Sequence, residues 1–167
     1  MKVTCSGIKN GKFEDKYGCR GSQVGEAGFQ NYSIPFDIID PPKGAVSYAI
    51  LLEDKDAVPV TGGFSWVHWV ACNFTRTSIK ENESASAKDF VQGLNSYTSM
   101  QGGKKPPELC ACYCGMAPPN SPHVYELHVY ALDTKLDLAN GFYMNEMFRK
   151  MDGHVLDSYT MQGIYDN

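Results

Sequence analysis

Short apolar segments divided by polar turns predict a chain built mainly from β-strands. Residues 47–52 are almost wholly apolar, and residues 64–72 are dense in aromatic and β-branched side chains, so we expect both to be interior strands. Pro59 and Gly62 predict a turn between them. Residues 123–132 (HVYELHVYAL) alternate between two faces and predict a third long strand.

The other segments predict shorter elements. Residues 32–39 alternate loosely, and Pro35 places this strand at a sheet edge because proline has no N–H to donate. Methionines at helical spacing predict a helix over 143–151, which Gly153 ends. Two further short strands are expected at 109–113 and 161–165, and a second short helix is expected at 154–160.

This order of elements favours a β-sandwich. The predicted fold class is mainly β, with two antiparallel sheets packed face to face and short helices near the C-terminus. The chain shows no internal repeat and no linker, so residues 1–167 are expected to form a single domain. Residues 75–105 are the most polar third and are expected to form a long surface segment, of a kind that often belongs to a binding site.

Composition and charge narrow the classes of partner. The chain has 167 residues, of which 43% are hydrophobic and 20% charged, as in an ordinary globular protein. A net charge of −4, with lysine and arginine scattered, argues against nucleic acid as a partner. No apolar run is long enough for a transmembrane segment and the N-terminus has no hydrophobic signal core, so the expected location is cytoplasmic.

The cysteines are expected to be reduced thiols. Their even number would suit disulfides in a secreted chain, but without a targeting segment a reducing compartment is expected. Residues 110–114 (CACYC) would place three sulfurs on one face if they formed a strand, which leaves metal or redox chemistry as an alternative. No second ligand pair accompanies them, so the prediction is free thiols, no metal and no cofactor. The six are Cys5, Cys19, Cys72, Cys110, Cys112 and Cys114.

Two acids, two histidines and a tyrosine are the candidates for chemistry. Asp54 and Asp56 follow the first interior strand, and His68 lies among aromatic residues in the second. His123 opens the third strand, and Tyr125 shares its face. A single strand histidine is more often a hydrogen-bonded core residue than a ligand. Here all five lie at strand ends or beside Pro/Gly loops, where sites tend to be built, so they predict one shared site.

Several motifs taken together resemble one family. Residues 54–59 (DKDAVP) are similar to an Asp-Pro-Asp-Ala-Pro segment, and 68–73 (HWVACN) to a His-aromatic strand that ends in asparagine. Residues 113–119 (YCGMAPP) and 123–125 (HVY) are similar to a Tyr-x-Gly turn, two prolines and a His-Arg-Tyr strand. Smaller matching segments lie at 16–19, 31–33, 92–96 and 153–156. In this order and spacing, the chain resembles the phosphatidylethanolamine-binding proteins, most closely their bacterial, Raf kinase inhibitor-like branch.

The resemblance implies a fold and a site. It implies two antiparallel sheets with helices near the C-terminus, and a small pocket at the sandwich edge that takes anions such as phosphate groups. The chain departs from the family pattern at Lys55, Val124 and Ala117, where proline, arginine and glycine are usual, so its ligand preference is open. The residues implied for ligand binding are Asp54, Asp56, His68, Gly115, Ala117, Pro118, His123 and Tyr125.

These residues suggest a mechanism of anion binding without catalysis. A carboxylate paired with His68 or His123 would favour the imidazolium, whose N–H could donate to a phosphate group of a phospholipid head group or phosphorylated ligand. On this hypothesis binding weakens as pH rises. The rival is a weak hydrolase that uses His68, His123 and Asp54, with Ser65, Ser121 or Cys114 as nucleophile, although no Gly-x-Ser-x-Gly motif is present.

A protein partner is the third possibility. Some relatives inhibit proteases or kinases, and here residues 75–105 could carry such a regulatory contact. Trp66 and Trp69 are three residues apart, so strand alternation sends them to opposite faces. One is expected in the core, while the other flanks the pocket or a subunit contact, which leaves a homodimer open.

Overall fold

The computed structural model describes residues 1–167 and consists mainly of short strands. The strands are β1 Lys2–Thr4, β2 Ile8–Lys9, β3 Lys12–Phe13, β4 Phe36–Ile39, β5 Ser47–Asp54, β6 Trp66–Phe74, β7 Ser78–Ile79, β8 Val91–Gln92, β9 His123–Leu132 and β10 Val155–Tyr165. The α-helices are α1 Val58–Thr61, α2 Glu83–Ser86, α3 Pro107–Cys110 and α4 Met144–Met151, with 3-10 turns at Asp15–Tyr17 and Ser96–Thr98. None of the helices has the length and apolarity needed to cross a membrane.

The strands form two sheets, which confirms the predicted mainly β class. The large sheet has the order β2-β3-β10-β9-β5-β6-β8, and the small sheet has the order β1-β4-β7. Neighbouring strands are antiparallel except β3 and β10, which meet in a parallel pairing between Ile164 and Lys12. The predicted arrangement of two antiparallel sheets is confirmed, with this single parallel contact added at the edge where β3 joins β10.

Strand β5 is apolar from Tyr48 to Leu52 because both of its faces are buried there. Ile50 and Leu52 lie in the main core between the two sheets, together with side chains of β4, β6 and β9. Ala49 and Leu51 face a second core that α4 covers with Met147. A strand buried on both faces reads as a continuous hydrophobic run rather than an alternating one. Its central place, between β9 and β6, fixes the ends of all three strands at one edge of the molecule.

The predicted helix over 154–160 is wrong, because this segment begins β10. Strand β10 pairs with β9 along its whole length, apart from one irregularity near its start. Its inward positions are Asp157, Tyr159, Met161, Gly163 and Tyr165. Because an aspartate and a glycine belong to this inward set, the period of two is not visible as hydrophobicity. The helix predicted over 143–151 is confirmed as α4.

Two predicted strands also differ from the structure. Residues 109–113 contain the end of α3, which starts at Pro107, where the fixed φ of proline suits the first turn of a helix. Strand β4 is the middle strand of the small sheet rather than an edge. It begins at Phe36, so Pro35 precedes the ladder and its missing N–H removes no pairing.

The polar residues 75–105 are tied into both sheets rather than lying wholly on the surface. Strand β7 pairs with β4 in the small sheet, and β8 pairs with β6 in the large one. The buried Gln92 side chain accepts hydrogen bonds from Trp69 Nε1 (2.8 Å) and Ser84 Oγ (2.6 Å). These contacts hold the segment that follows, which reaches the cavity described below.

Candidate functional site

A half-open cavity of about 270 Å³ lies beside the first residues of β6. Of the residues predicted for ligand binding, His68, Gly115 and Ala117 line it. The other lining residues come from α1 and its flanks, from the start of β6, from the polar segment and from the proline turn. They are Ala57, Val60, Thr61, Trp66, Tyr97, Gln101 and Pro119.

A β-bulge in β6 sets the direction of His68. In the pairing of β5 with β6, Leu52 faces Trp69 and Glu53 faces Val67, so His68 is the extra residue on β6. Because a bulge adds one residue, His68 and its neighbour Trp69 point to the same side of the sheet. Trp69 enters the main core, whereas Val67 faces the second core on the opposite side.

The bulge corrects the prediction about the two tryptophans. Trp66 and His68 share a face by alternation, and the bulge brings Trp69 to that face as well. The predicted division of roles does occur, since Trp69 is fully buried in the core and Trp66 lines the cavity. Opposite faces, however, were expected only because the sequence gives no sign of the extra residue.

His68 is buried against the floor of the cavity and holds one defined tautomer. Its Nδ1 lies 2.9 Å from the carbonyl oxygen of Cys114, an acceptor, so Nδ1 carries the proton. The ring packs edge-on against Tyr125, with centroids 5.1 Å apart. Burial lowers the pKa of His68 below its ordinary value, although the bond to Cys114 opposes this. The neutral imidazole therefore leaves Nε2 as an acceptor.

His123 and Asp54 form a buried pair behind the cavity wall. Nδ1 of His123 donates to Oδ2 of Asp54 at 2.8 Å, and Asp54 Oδ1 accepts from the backbone N–H of Ala57 at 3.1 Å. The other ring nitrogen of His123, Nε2, contacts Oδ1 of Asn120 at 2.9 Å. Both nitrogens of this imidazole are thus occupied within the protein. The pair fixes the start of β9 and α1 against each other, and both elements flank the cavity.

Tyr125 lies between the two histidines with its hydroxyl unpaired. The side chain is fully buried, and its hydroxyl has no partner in good hydrogen-bond geometry, although the N–H of Ala117 and the carboxylate of Asp54 approach it. Burial, and then the charge of Asp54, raise the pKa of Tyr125, so its hydroxyl keeps its proton. A buried polar atom without a partner is rare and costly, and such atoms occur at functional sites.

Asp56 and Pro118 are not at the cavity wall. Asp56 is exposed. Its Oδ2 accepts a hydrogen bond from the backbone N–H of Val124 at 2.8 Å, which joins the loop before α1 to the start of β9. Pro118 is buried next to the lining residues Ala117 and Pro119. The structure therefore gives these two predicted residues a supporting position, one step behind the surface that a ligand would touch.

Gly115 is a glycine because the chain passes close to another loop. A β-carbon at this position would lie 2.9 Å from Cβ of Gln30 and 3.2 Å from Cα of Gly18. The N–H of Gly115 donates to the carbonyl of Gln30 at 2.7 Å, which holds the turn in place. Two residues on, Ala117 lines the cavity, and its backbone N–H approaches the Tyr125 hydroxyl.

An aromatic wall was missed in the sequence analysis. The ring of Trp66 meets that of Tyr97 edge-on at 5.3 Å, and Tyr97 stacks on Phe29 at 4.4 Å. Tyr97 comes from the polar residues 75–105, as does Gln101, whose Nε2 contacts the carbonyl of Thr61 at 3.4 Å. The sequence predicts that this polar segment belongs to a binding site, but it does not indicate which of its residues line the site.

The cysteines are free, and those of residues 110–114 do not share a strand face. Cys110 and Cys114 are buried in a small core beside the cavity, and Cys112 packs against it. Burial raises the pKa of the Cys112 thiol to about 12 and that of Cys114 well above its ordinary value. Burial therefore holds these thiols protonated.

Three potential metal ligands come together elsewhere on the large sheet. Side-chain atoms of Glu53, Glu126 and His128 lie within 4.8 Å of one another. The ammonium of Lys55 bonds directly to Glu126 and lies 3.6 Å from Glu53, and His128 Nε2 lies 3.1 Å from Glu53. The two carboxylates are thus neutralised by groups of the protein itself.

Comparison with known proteins agrees with the resemblance seen in the motifs. Residues 6–166 match the family model described as phosphatidylethanolamine-binding protein. The chain belongs to this family. It is 40% identical to the Bacillus subtilis protein YxkA over 137 residues, covering 80% of each, and 30% identical to a UPF0098 protein of Chlamydia trachomatis, covering 99% of each.

Solved structures show the same fold. The crystal structure of the phosphatidylethanolamine-binding protein homolog CT736 from Chlamydia trachomatis superposes with a TM-score of 0.79 at 26% identity, covering 99% of this chain and 97% of that one. Escherichia coli YbcL, described as a member of the mammalian family, superposes with a TM-score of 0.76 at 23% identity, covering 99% and 98%. At that identity, YbcL supports the fold alone.

Proposed function

We propose that the cavity at His68 binds the phosphate group of a small ligand or phospholipid head group without catalysing its turnover. The observation that carries the proposal is the unpaired Nε2 of His68, which opens into a half-open cavity in a chain whose other site imidazole is fully occupied. Family membership supports it, because the family is named for binding a phosphate-bearing lipid.

The lining suits a small ligand with one polar and one apolar end. At the polar end, Nε2 of His68 has no partner within the protein, and the N–H of Ala117 meets only the Tyr125 hydroxyl. At the other end, Trp66 and Tyr97 provide flat apolar surface. Ligand pockets commonly combine apolar walls with a few well-placed polar groups.

The imidazolium mechanism expected from the sequence is unfavourable in this structure. Burial lowers the pKa of His68, so the neutral ring dominates near neutral pH. His123 cannot donate to a ligand without breaking its contact with Asp54 or Asn120. The anion must therefore be held by hydrogen bonds rather than by a formal positive charge in the wall.

The arrangement of nucleophiles supports binding over hydrolysis. The Cys114 sulfur lies 3.6 Å from His68 Nδ1, but its thiol is fully buried with a strongly raised pKa, and that nitrogen already donates to a carbonyl. Ser65 Oγ donates to Glu53, whose other oxygen contacts His128, so the hydroxyl meets a carboxylate rather than an imidazole. Neither pair has the activated nucleophile that covalent catalysis requires. The regulatory contact with a kinase or protease stays a prediction from the resemblance.

Calorimetric titration with phosphoethanolamine tests the proposal. We expect saturable binding by the unaltered protein, loss of binding in His68→Ala, and unchanged binding in His154→Ala. His154 is a matched control because it is exposed and pairs with Asp133, remote from the cavity lining. Absence of binding, equal binding by both variants, or release of phosphate from chromogenic esters that depends on His68 would overturn the proposal.

A further inference from the structure

The cavity presents an acceptor where an anion site would ordinarily present a donor. Nδ1 of His68 donates to the Cys114 carbonyl at 2.9 Å, and a neutral imidazole has only one N–H. Nε2 therefore carries a lone pair and can only accept a hydrogen bond. Nε2 has no hydrogen-bond partner within the protein, and it is accessible to solvent rather than sealed in the interior. Since His68 lines the cavity, this lone pair opens into it.

None of the ten lining side chains carries a formal charge that could balance a ligand's charge. Tyr97, the other titratable lining residue, keeps its proton because burial raises its pKa to about 12. The remaining lining side chains are one amide, one hydroxyl, one indole and apolar groups. A doubly charged anion in this wall would be held without a counter-charge, which is costly at low dielectric.

The groups that face His68 from the neighbouring elements also disfavour a second negative charge. Tyr125 from β9 and Cys114 from the proline turn are neutral, because burial raises the pKa of both. Asp54 at the end of β5 and His123 at the start of β9 form their own hydrogen-bonded pair. The nearby carboxylate of Asp54 favours protonation of His68, but burial outweighs it and the pKa of His68 remains lowered.

From this geometry we infer that the cavity takes a phosphate monoester in its singly protonated form, with the ligand's own P–OH donating to Nε2 of His68. The inference rests on the proposed function and names its ligand class. The single negative charge would then be met by hydrogen-bond donors such as the N–H of Ala117, which otherwise approaches the Tyr125 hydroxyl. Phosphate diesters and sulfate, which carry no such proton near neutral pH, lack the donor that the lone pair requires.

The inference makes the pH dependence a property of the ligand. The second ionisation of a phosphate monoester lies near pH ~6, and each unit above it lowers the protonated fraction about tenfold. Methylphosphonate loses its second proton at higher pH than methyl phosphate does. If the ligand brings the proton, the pH at which affinity falls must be higher for methylphosphonate. If a protonated His68 held the anion instead, dimethyl phosphate and sulfate, which have no such proton of their own, would bind as tightly as methyl phosphate.

The experiment is calorimetric titration of the full chain from about pH 5 to about pH 9, a window that brackets both ionisations. The probes are methyl phosphate, methylphosphonate, dimethyl phosphate and sulfate. We expect the two protonatable ligands to bind with separate midpoints, in the order of their own second ionisations. At about pH 6, we expect dimethyl phosphate and sulfate to bind at least about tenfold more weakly than methyl phosphate, the cost of an unpaired buried acceptor.

A shared midpoint, or dimethyl phosphate and sulfate binding as tightly as methyl phosphate, would overturn this inference and leave the proposed function standing. No binding of any of the four probes at any pH would overturn both. The variant His68→Asn adds a second reading, because its amide can still donate to the Cys114 carbonyl but places no acceptor at Nε2. We expect it to weaken methyl phosphate about 10- to 100-fold, the range for a charge-assisted hydrogen bond, while His154→Asn changes nothing.

Discussion

Removing the Asp54 carboxylate should destabilise the protein strongly, although Asp54 does not touch the cavity. Asp54→Ala leaves two donors without acceptors, Nδ1 of His123 and the N–H of Ala57, which bond to it at 2.8 and 3.1 Å. The His123 and Asp54 side chains are only 1% and 4% exposed, so water cannot easily replace the lost acceptor. At about 1–3 kcal/mol for each buried donor left unpaired, we expect a loss of about 3 kcal/mol.

The matched control is Asp56→Ala, two residues along the chain. Asp56 also accepts one backbone hydrogen bond, from Val124 at 2.8 Å, but it is exposed. Because water can take its place, we expect a cost of about 0–1 kcal/mol. Asp54→Asn should fall between the two variants, because the amide keeps one acceptor oxygen at the site.

Urea denaturation of the three variants provides the measurement, with the free energy of unfolding taken at constant m-value. For a chain of this size, about 3 kcal/mol corresponds to a fall in Tm of about 6–12 °C. An Asp54→Ala protein within about 0.5 kcal/mol of the unaltered one would refute the reasoning. So would an Asp56→Ala protein that is the less stable of the two.

Three further predictions follow from other contacts. Glu53 is hydrogen-bonded by His128, which lowers its pKa from 4.5 to about 2, so its stabilisation is complete above 4.5 and is lost as pH falls toward 2. In urea denaturation over that pH range, the free energy of unfolding should therefore fall by about 1–2 kcal/mol less for Glu53→Gln than for the unaltered protein. Equal losses in the two proteins would contradict this. Gly115→Ala should weaken phosphoethanolamine binding and lower stability by about 1–3 kcal/mol, since its new methyl group meets Gln30 at 2.9 Å; unchanged calorimetry and melting would argue against the close approach. A thiol reagent should label Cys19 rapidly in the native protein and all six cysteines after denaturation, because Cys19 alone is exposed; several fast thiols in the native state would contradict the burial described here.

The sequence predicted the strands that carry the site better than the way the site is built. The apolar run of β5 and the alternation of β9 were visible because each reflects burial directly. The bulge at His68 was not, because an extra residue in one strand is defined only by its partner strand, and no local pattern marks it. Strand β10 was missed for a related reason, since Asp157 and Gly163 lie on its inward side.

The structure brings several of the candidate residues together but gives them different contacts. Asp54, His123 and Tyr125 do come together, as strand ends at one edge predict. Which of them faces a ligand depends on side-chain partners such as Asn120, which sequence alone does not reveal. Tyr97 could not be predicted, because it reaches the cavity only through the long-range pairing of β8 with β6.

The central claim is that His68, rather than the buried acid–imidazole pair, meets a phosphate group in the cavity. Nitrogen-15 NMR spectra recorded while methyl phosphate is added test this most directly. We expect the largest changes at Nε2 of His68 and at the backbone amides of Ala117 and Tyr97, with the exposed His154 unchanged. Changes centred on His154, or a spectrum that stays the same at saturating ligand, would contradict it.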